Sequence, residues 1–330
     1  MRRCLNCMEE YPDQHGNACP YCGFTEGEKE SQPSSLRPGS ILQRRYIVGN
    51  VIKAREQDLT YIGWDALFER KVQIQEYYPK KLAERKEGLL AKPYPDGEES
   101  YREGLKNFYS RSRELLRLYQ EEDIVTYFAC FEENGTAYGV MDYQKRETLG
   151  HRLQGRPVKP ETAVGILQKA MAAVGKIHRI GIYHGMVGID TFWITSQDKL
   201  IAKDFGGWLL SVPESGEEGL VGQISEEAGV REDIWGLARM FCRLVTGREI
   251  LNSHMLEEAL RSDRKLLGKA QAAALGRALD RKLQSLEQFQ AELSQGEGAK
   301  AAIPLPLVIG GAVIAAAVII IAVLILGGIV

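Results

Sequence analysis

Hydrophobic positions in the first half of the chain fall into short runs rich in β-branched and aromatic residues. Arg45–Ile52, Leu59–Trp64 and Lys71–Tyr77 predict β-strands. Leu105, Phe108, Leu115, Leu116 and Leu118 then recur at roughly helical spacing and predict a helix. Ile124–Phe131 and Thr136–Tyr143 read as two more strands, because Asn134-Gly135 between them is a strong hairpin signal. After about residue 145 the pattern turns mostly helical, over 161–180, 231–246, 254–278 and 283–294. A β-rich lobe followed by a larger helical lobe predicts an α+β, two-lobed fold.

The two ends differ from this body. Residues 1–24 form a cysteine-bearing module, and 25–38 are polar, with Pro and Ser and no periodicity, which reads as a linker. The body runs over 39–294, and 295–303 form a second linker. From Leu305 to Val330 no charged residue occurs, and Ile, Val, Leu, Ala and Gly fill almost every position. At about 1.5 Å per residue this run exceeds a hydrocarbon core of about 30 Å, so 304–330 is expected to be one transmembrane helix. Nothing hydrophilic follows Val330 and no signal-peptide pattern opens the chain, so a tail anchor with cytoplasmic N-terminal domains is expected. Lys300 before the span agrees with that orientation. Gly311 and Ala315 form a small-x-x-x-small pair that would let the span form a homodimer.

Composition changes this picture little. The net charge of −2 and the 26% of charged residues give no basic excess, so a nucleic-acid partner is not expected. Cys130 and Cys242 sit alone in apolar stretches and read as small buried hydrophobes.

The other four cysteines carry chemistry. Cys4-x-x-Cys7 and Cys19-x-x-Cys22 place two pairs of thiols so that each turn presents both sulfurs to one ion. Four thiolates satisfy tetrahedral Zn²⁺ and leave no open position, which makes a structural site. Iron in a rubredoxin-like site and disulfides are the alternatives. His15, between the pairs, reads as a loop residue. The Cys-Pro-Tyr-Cys-Gly of the second pair resembles a zinc ribbon, and so short a segment would fold largely on the metal's binding energy.

The body resembles a protein kinase domain. Lys203-Asp204-Phe205-Gly206 looks like the D-F-G segment, after a strand-like Lys199–Ala202. Ile182-Tyr183-His184-Gly185-Met186 occupies the place of the catalytic loop, and Asp233-Ile234-Trp235 resembles the start of the long buried helix of the large lobe. Arg45-Tyr46-Ile47, Leu59-Thr60-Tyr61 and Lys71 to Pro79 resemble the small lobe of bacterial serine/threonine kinases. The resemblance also implies that Leu115, Tyr127, His184 and Phe205 stack between the lobes with Asp233 as anchor. Arg239 and Arg243, on the same helix as Asp233, read as solvated edges.

Against the family pattern the catalytic positions diverge. The glycine-rich loop aligns with 53–58, which holds no glycine. The phosphate-pairing lysine aligns with Gln75, and its helical glutamate partner with Arg111. The catalytic-base aspartate aligns with Met186 and the metal-binding asparagine with Thr191, leaving Asp204 to hold Mg²⁺. Gln73 and Trp193 replace smaller groups around the adenine site, so ATP is not expected to bind. The segment after Gly206 is short and lacks an A-P-E-like end.

The resemblance therefore implies a pseudokinase without enzyme activity, a protein-binding scaffold or regulator at the bacterial cell membrane. Two alternatives stay open: a residual or unconventional ATP-dependent serine/threonine kinase using Asp204, and a nucleic-acid-linked regulator working through the ribbon.

Overall fold

The computed structural model describes residues 1–25, 34–86, 88–144, 146–205, 226–262 and 266–294. Two short strands, β1 (Arg2–Arg3) and β2 (Glu10–Tyr11), pair antiparallel around the first cysteine turn. The first lobe follows: β3 (Ile41–Leu42), β4 (Tyr46–Ala54), β5 (Asp58–Asp65), β6 (Arg70–Tyr77), the small pair β7 (Ala83–Glu84) and β8 (Lys92–Pro93), helix α1 (Glu98–Leu115), then β9 (Tyr127–Glu133) and β10 (Thr136–Asp142). The six longer-range partners form an antiparallel sheet ordered β3-β4-β5-β6-β10-β9. Asn134 and Gly135 both take positive φ, 55° and 72°, the backbone that a tight β9–β10 turn needs.

The second lobe is mostly helical. After β11 (Glu147–Thr148) come α2 (Leu149–Leu153), α3 (Pro160–His178), β12 (Phe192–Ile194), β13 (Leu200–Ala202), α4 (Glu226–Thr246), α5 (Ser253–Ser262), α6 (Lys269–Leu279) and α7 (Leu286–Ser294). On α4 the buried Asp233, Ile234, Leu237, Ala238, Phe241, Leu244 and Val245 recur at helical spacing and face α3. Ala163, Leu167, Ala170, Val174 and Ile177 present the matching stripe on α3. Each large aliphatic side chain so buried contributes roughly 1.5–3 kcal/mol. This core is separate from the first lobe's, which centres on Leu42, Tyr61, Ile74 and Tyr138.

Three expectations are corrected. The strand expected over Ile124–Phe131 begins at Tyr127, because Val125 N–H donates to the Ala202 carbonyl (2.8 Å) and Ile124 bridges Ala202 in parallel. That bridge ties the lobes together. The single helix expected over 254–278 is two, because Gly268 is extended (φ −65°, ψ 154°) ahead of α6 and glycine favours no helix. Ser35 and Leu36, inside the expected 25–38 linker, are buried; Leu36 lies in the first-lobe core and its N–H donates to Tyr61 Oη (3.0 Å). Of the isolated cysteines, Cys242 is fully buried and Cys130 only half so. Among the described residues no helix is long and apolar enough to cross a membrane. The helix expected over 304–330 and the segment after Gly206 lie outside the described residues.

A charged network closes one side of the first-lobe core. Glu76, fully buried at the end of β6, accepts from Tyr61 Oη (2.6 Å) and Tyr138 Oη (3.0 Å) and pairs with Arg85. Arg85 also donates to the Ser34 (2.8 Å) and Leu89 (3.0 Å) carbonyls. Burial and the neighbouring carboxylate push the Tyr61 and Tyr138 hydroxyls above their ordinary range.

Candidate functional site

The two cysteine turns converge. The Cys4 N–H donates to the Glu9 carbonyl (2.9 Å), and the Cys19 N–H to the Phe24 carbonyl (2.9 Å), so each pair sits in a tight turn of the same kind. The sulfurs of Cys4, Cys7, Cys19 and Cys22 all lie within 4.8 Å of one another. Cys4 Sγ is 3.6 Å from Cys22 Sγ, and Cys7 Sγ is 3.7 Å from Cys19 Sγ. A tetrahedral ion with bonds of about 2.3 Å needs sulfurs about 3.8 Å apart, so the four fit one Zn²⁺. Burial pushes the Cys4 and Cys7 thiols up. Cys22, though burial opposes it, is drawn down to about 7 by the Phe24 N–H and the Asn6 amide. Zinc would displace the remaining thiol protons.

The second site is the cleft between the lobes. Asp204, with φ 65°, turns its carboxylate into the cleft just beyond β13. Lys53 Nζ (2.6 Å) and Arg55 Nη2 (3.1 Å) reach it from the first lobe, and Lys203 reaches it from beside it. Burial alone would raise the Asp204 pKa, but Lys203, Lys53 and Arg55 hold it far below the ordinary carboxylate range. Burial draws Lys53 down, and Asp204 partly offsets that. Arg55 is fixed in turn by Asp58 (3.3 Å), a buried carboxylate where a glycine-rich loop would sit.

Around them lies a cavity of 210 Å³, lined by Lys53, Gln73, Met141, Tyr143, Trp193 and Lys203 among others. Small-molecule pockets usually span about 300–1,000 Å³, so this one is small. Gln73 and Trp193 both line it. Gln75 is buried on β6 and faces Tyr127 Oη at 3.5 Å. Arg111, buried on α1, leaves Nη1 without a hydrogen-bond partner, and burial lowers its pKa to about 10. Thr191 Oγ1 donates to the Gly188 carbonyl (2.9 Å) and accepts from the Gly188 N–H (3.0 Å), which closes the loop on itself. Met186 is 45% exposed on the wall of a larger groove of 330 Å³. Arg239 and Arg243, expected to be solvated edges, keep 30% and 42% side-chain exposure, line that groove and pair with Glu249.

The residues expected to join the lobes do meet. Leu115, Tyr127, His184, Phe205 and Asp233 are all buried. The His184 ring meets Phe205 edge-on at 5.0 Å, and the N–H groups of His184 (2.8 Å) and Gly185 (2.6 Å) donate to Asp233. Burial holds the His184 pKa below its ordinary value. Sequence reasoning placed 53–58 and Lys203 beside the cleft but missed that Lys53, Arg55 and Lys203 converge on Asp204. Lys53 and Asp204 are 151 residues apart, and nothing local signals that contact.

Comparison with known proteins agrees on the fold. No family model matches the sequence. The PpkA-294 apo form superposes with a TM-score of 0.61 at 22% identity, covering 79% of this chain and 99% of that one. A single-site mutant of the Mycobacterium tuberculosis PknI kinase domain superposes at 0.55 and 18% identity, covering 80% and 100%. The chain thus has a protein-kinase-like α+β fold. In sequence, the serine/threonine-protein kinase PLK2 of Mus musculus is 25% identical over 163 residues, and that of Rattus norvegicus 24%. The match takes in 46% of this chain and 24% of either relative's length. The expectation that the chain is not an enzyme is corrected here. Its sequence relatives over those 163 residues are serine/threonine-protein kinases, which points to a kinase.

Proposed function

We propose that this kinase-fold domain, joined to a zinc ribbon and a membrane span, acts as a protein-binding scaffold or regulator at the bacterial cell membrane. One observation carries the reading. Asp204, the carboxylate left to hold Mg²⁺, is engaged by Lys53 and Arg55 from the opposite lobe and by Lys203 beside it. Those pairs clamp the lobes in one relative position and give a partner a fixed two-lobed surface. The span over 304–330 would hold that surface at the membrane, with the domain in the cytoplasm, and the same span could pair two copies through Gly311 and Ala315.

A second reading is an unconventional ATP-dependent kinase, and Lys53 favours it. The cation that Gln75 does not supply from β6 arrives at Asp204 from β4 instead. The deciding experiment uses the full chain in membranes. Site-specific crosslinking identifies a partner, and purified protein is tested for transfer of labelled phosphate from Mg·ATP to that partner. The scaffold reading expects equal crosslinking by the wild type and Asp204→Ala, and loss of crosslinking in Asp204→Ala would overturn it. Labelling that vanishes in both Lys53→Ala and Asp204→Ala is the outcome that the kinase reading expects.

A further inference from the structure

The four-cysteine module does not stand clear of the first lobe; its first turn is seated on β4. The Leu5 carbonyl accepts from the Asn50 N–H (2.7 Å), and Asn50 Nδ2 donates to Asn6 Oδ1 (3.1 Å). Asn6 is in turn held by thiols: its N–H lies 3.4 Å from Cys4 Sγ and its Nδ2 3.7 Å from Cys22 Sγ. Met8, fully buried with φ 59°, lies over Gly49, where a Cβ would overlap both the Met8 methyl and the Leu5 oxygen. Further along the sheet, Arg3 covers the Trp64 ring at 3.5 Å and Glu9 pairs with Lys71.

The contact falls where β4 leaves its ladder. Between the pairs Val48↔Gly63 and Val51↔Tyr61, β4 spends Gly49 and Asn50 against Ile62 alone. Between Val51↔Tyr61 and Lys53↔Thr60 it spends Ile52 against nothing. Such bulges re-aim the side chains that follow, and each one-residue slip exchanges the two faces of the strand. Lys53 and Arg55 are the residues that follow, three and five places beyond Asn50, and both end on Asp204. The Asn50 N–H goes to the Leu5 carbonyl, as the Val48 N–H goes to that of Ser40.

We propose that the metal-loaded cysteine module is a clamp on β4. It holds the Gly49–Asn50 bulge and through it keeps Lys53 and Arg55 on Asp204, so that metal loading controls the closure of the cleft. The path is continuous: Cys4 and Cys22, Asn6, Asn50, the two bulges, Lys53 and Arg55, Asp204. Without metal nothing joins the two cysteine turns, so Asn6 loses its fixed position beside Cys4 and Cys22 and the Leu5 carbonyl no longer meets Asn50. The inference rests on the metal reading of the four cysteines, not on either reading of the cleft.

The test measures the metal content and the amine reactivity of individual lysines on the full-length protein in detergent. An acylating reagent with mass-spectrometric readout reports on Lys53, while Lys176 in the second lobe, paired with Glu121 and Asp123, serves as the reference. Chelation is expected to raise Lys53 labelling about fivefold and to speed hydrogen exchange over 49–55, with Lys176 unchanged. Asn50→Ala, which leaves all four thiols in place, is expected to keep one metal per chain and still raise Lys53 labelling about twofold. A purified chain without metal would remove the metal reading itself. Metal present, with Lys53 labelling unmoved by chelation and by Asn50→Ala, overturns the clamp alone. A parallel rise at Lys176 also overturns it, since that reports global unfolding.

Discussion

Two buried arginines in the first lobe have opposite surroundings, and their substitution should have opposite effects. Arg85 is paired with Glu76 and gives further hydrogen bonds to two carbonyls, while two tyrosine hydroxyls complete the carboxylate. Removing one partner from such a pair leaves a buried charge without compensation, which costs about 3–5 kcal/mol. Arg85→Ala is therefore expected to lower the urea midpoint sharply, and a change near zero would show that the network is not formed. Arg111 has Nη1 unpartnered and its pKa lowered to about 10 by burial. Replacing a poorly paired buried ion by an apolar side chain of similar length is often stabilising, by about 1–4 kcal/mol. Arg111→Met is expected to raise the melting temperature. A fall instead would mean that the guanidinium has a partner this geometry lacks. The sequence showed Arg111 at an unusual position, but not whether anything answers its charge.

At the scale of elements, β4 is the strand that departs furthest from regularity, with two bulges within six residues. Gly49 makes the first one compatible with the cysteine turn, because its missing Cβ leaves room for Leu5 and Met8. Gly49→Ala should separate the two, destabilising the protein by about 1–3 kcal/mol. Hydrogen exchange is the check: faster exchange at Asn50, with β9 and β10 protected as before, is the expected pattern, and an unchanged Asn50 amide contradicts it. The β9–β10 hairpin was legible in advance because its signal is local, two adjacent residues suited to positive φ. The bulges were not, since register is a relation between strands and no residue of β4 announces it.

For the molecule as a whole, the joint between the lobes depends on a neutral imidazole. His184 is fully buried between Phe205 and Phe192, with Asp233 accepting from its main chain. Its folded pKa lies below the ordinary value of about 6.5, with burial the leading cause. Below that unfolded value the unfolded chain takes up a proton that the folded chain resists. The stability this group contributes therefore falls as pH drops below about 6.5, by up to about 1.4 kcal/mol per pH unit, until the folded imidazole also takes up a proton. Chemical denaturation of wild type and His184→Gln across that range measures it. The variant should show the shallower slope, and an equal slope would assign the pH dependence to other groups. Asp204 contributes nothing over that interval, because its depressed pKa keeps it ionised until well below the ordinary carboxylate range.

Short spacing and local periodicity made the paired cysteines, the Asn-Gly turn and the apolar stripe of α4 readable along the chain. The buried set Leu115, Tyr127, His184, Phe205 and Asp233 followed from the resemblance to protein kinases, not from spacing. Tertiary structure alone decided what lies across the cleft. Lys53 and Asp204 stand 151 residues apart, and Asn6 and Asn50 stand 44 apart. The missing cation of β6 could be read as a loss at Gln75, because a sequence shows which residue is absent from a position. It cannot show that another strand, bent by two bulges, delivers a different cation to Asp204. Coulomb attraction depends on distance in space, and only the folded chain sets that distance.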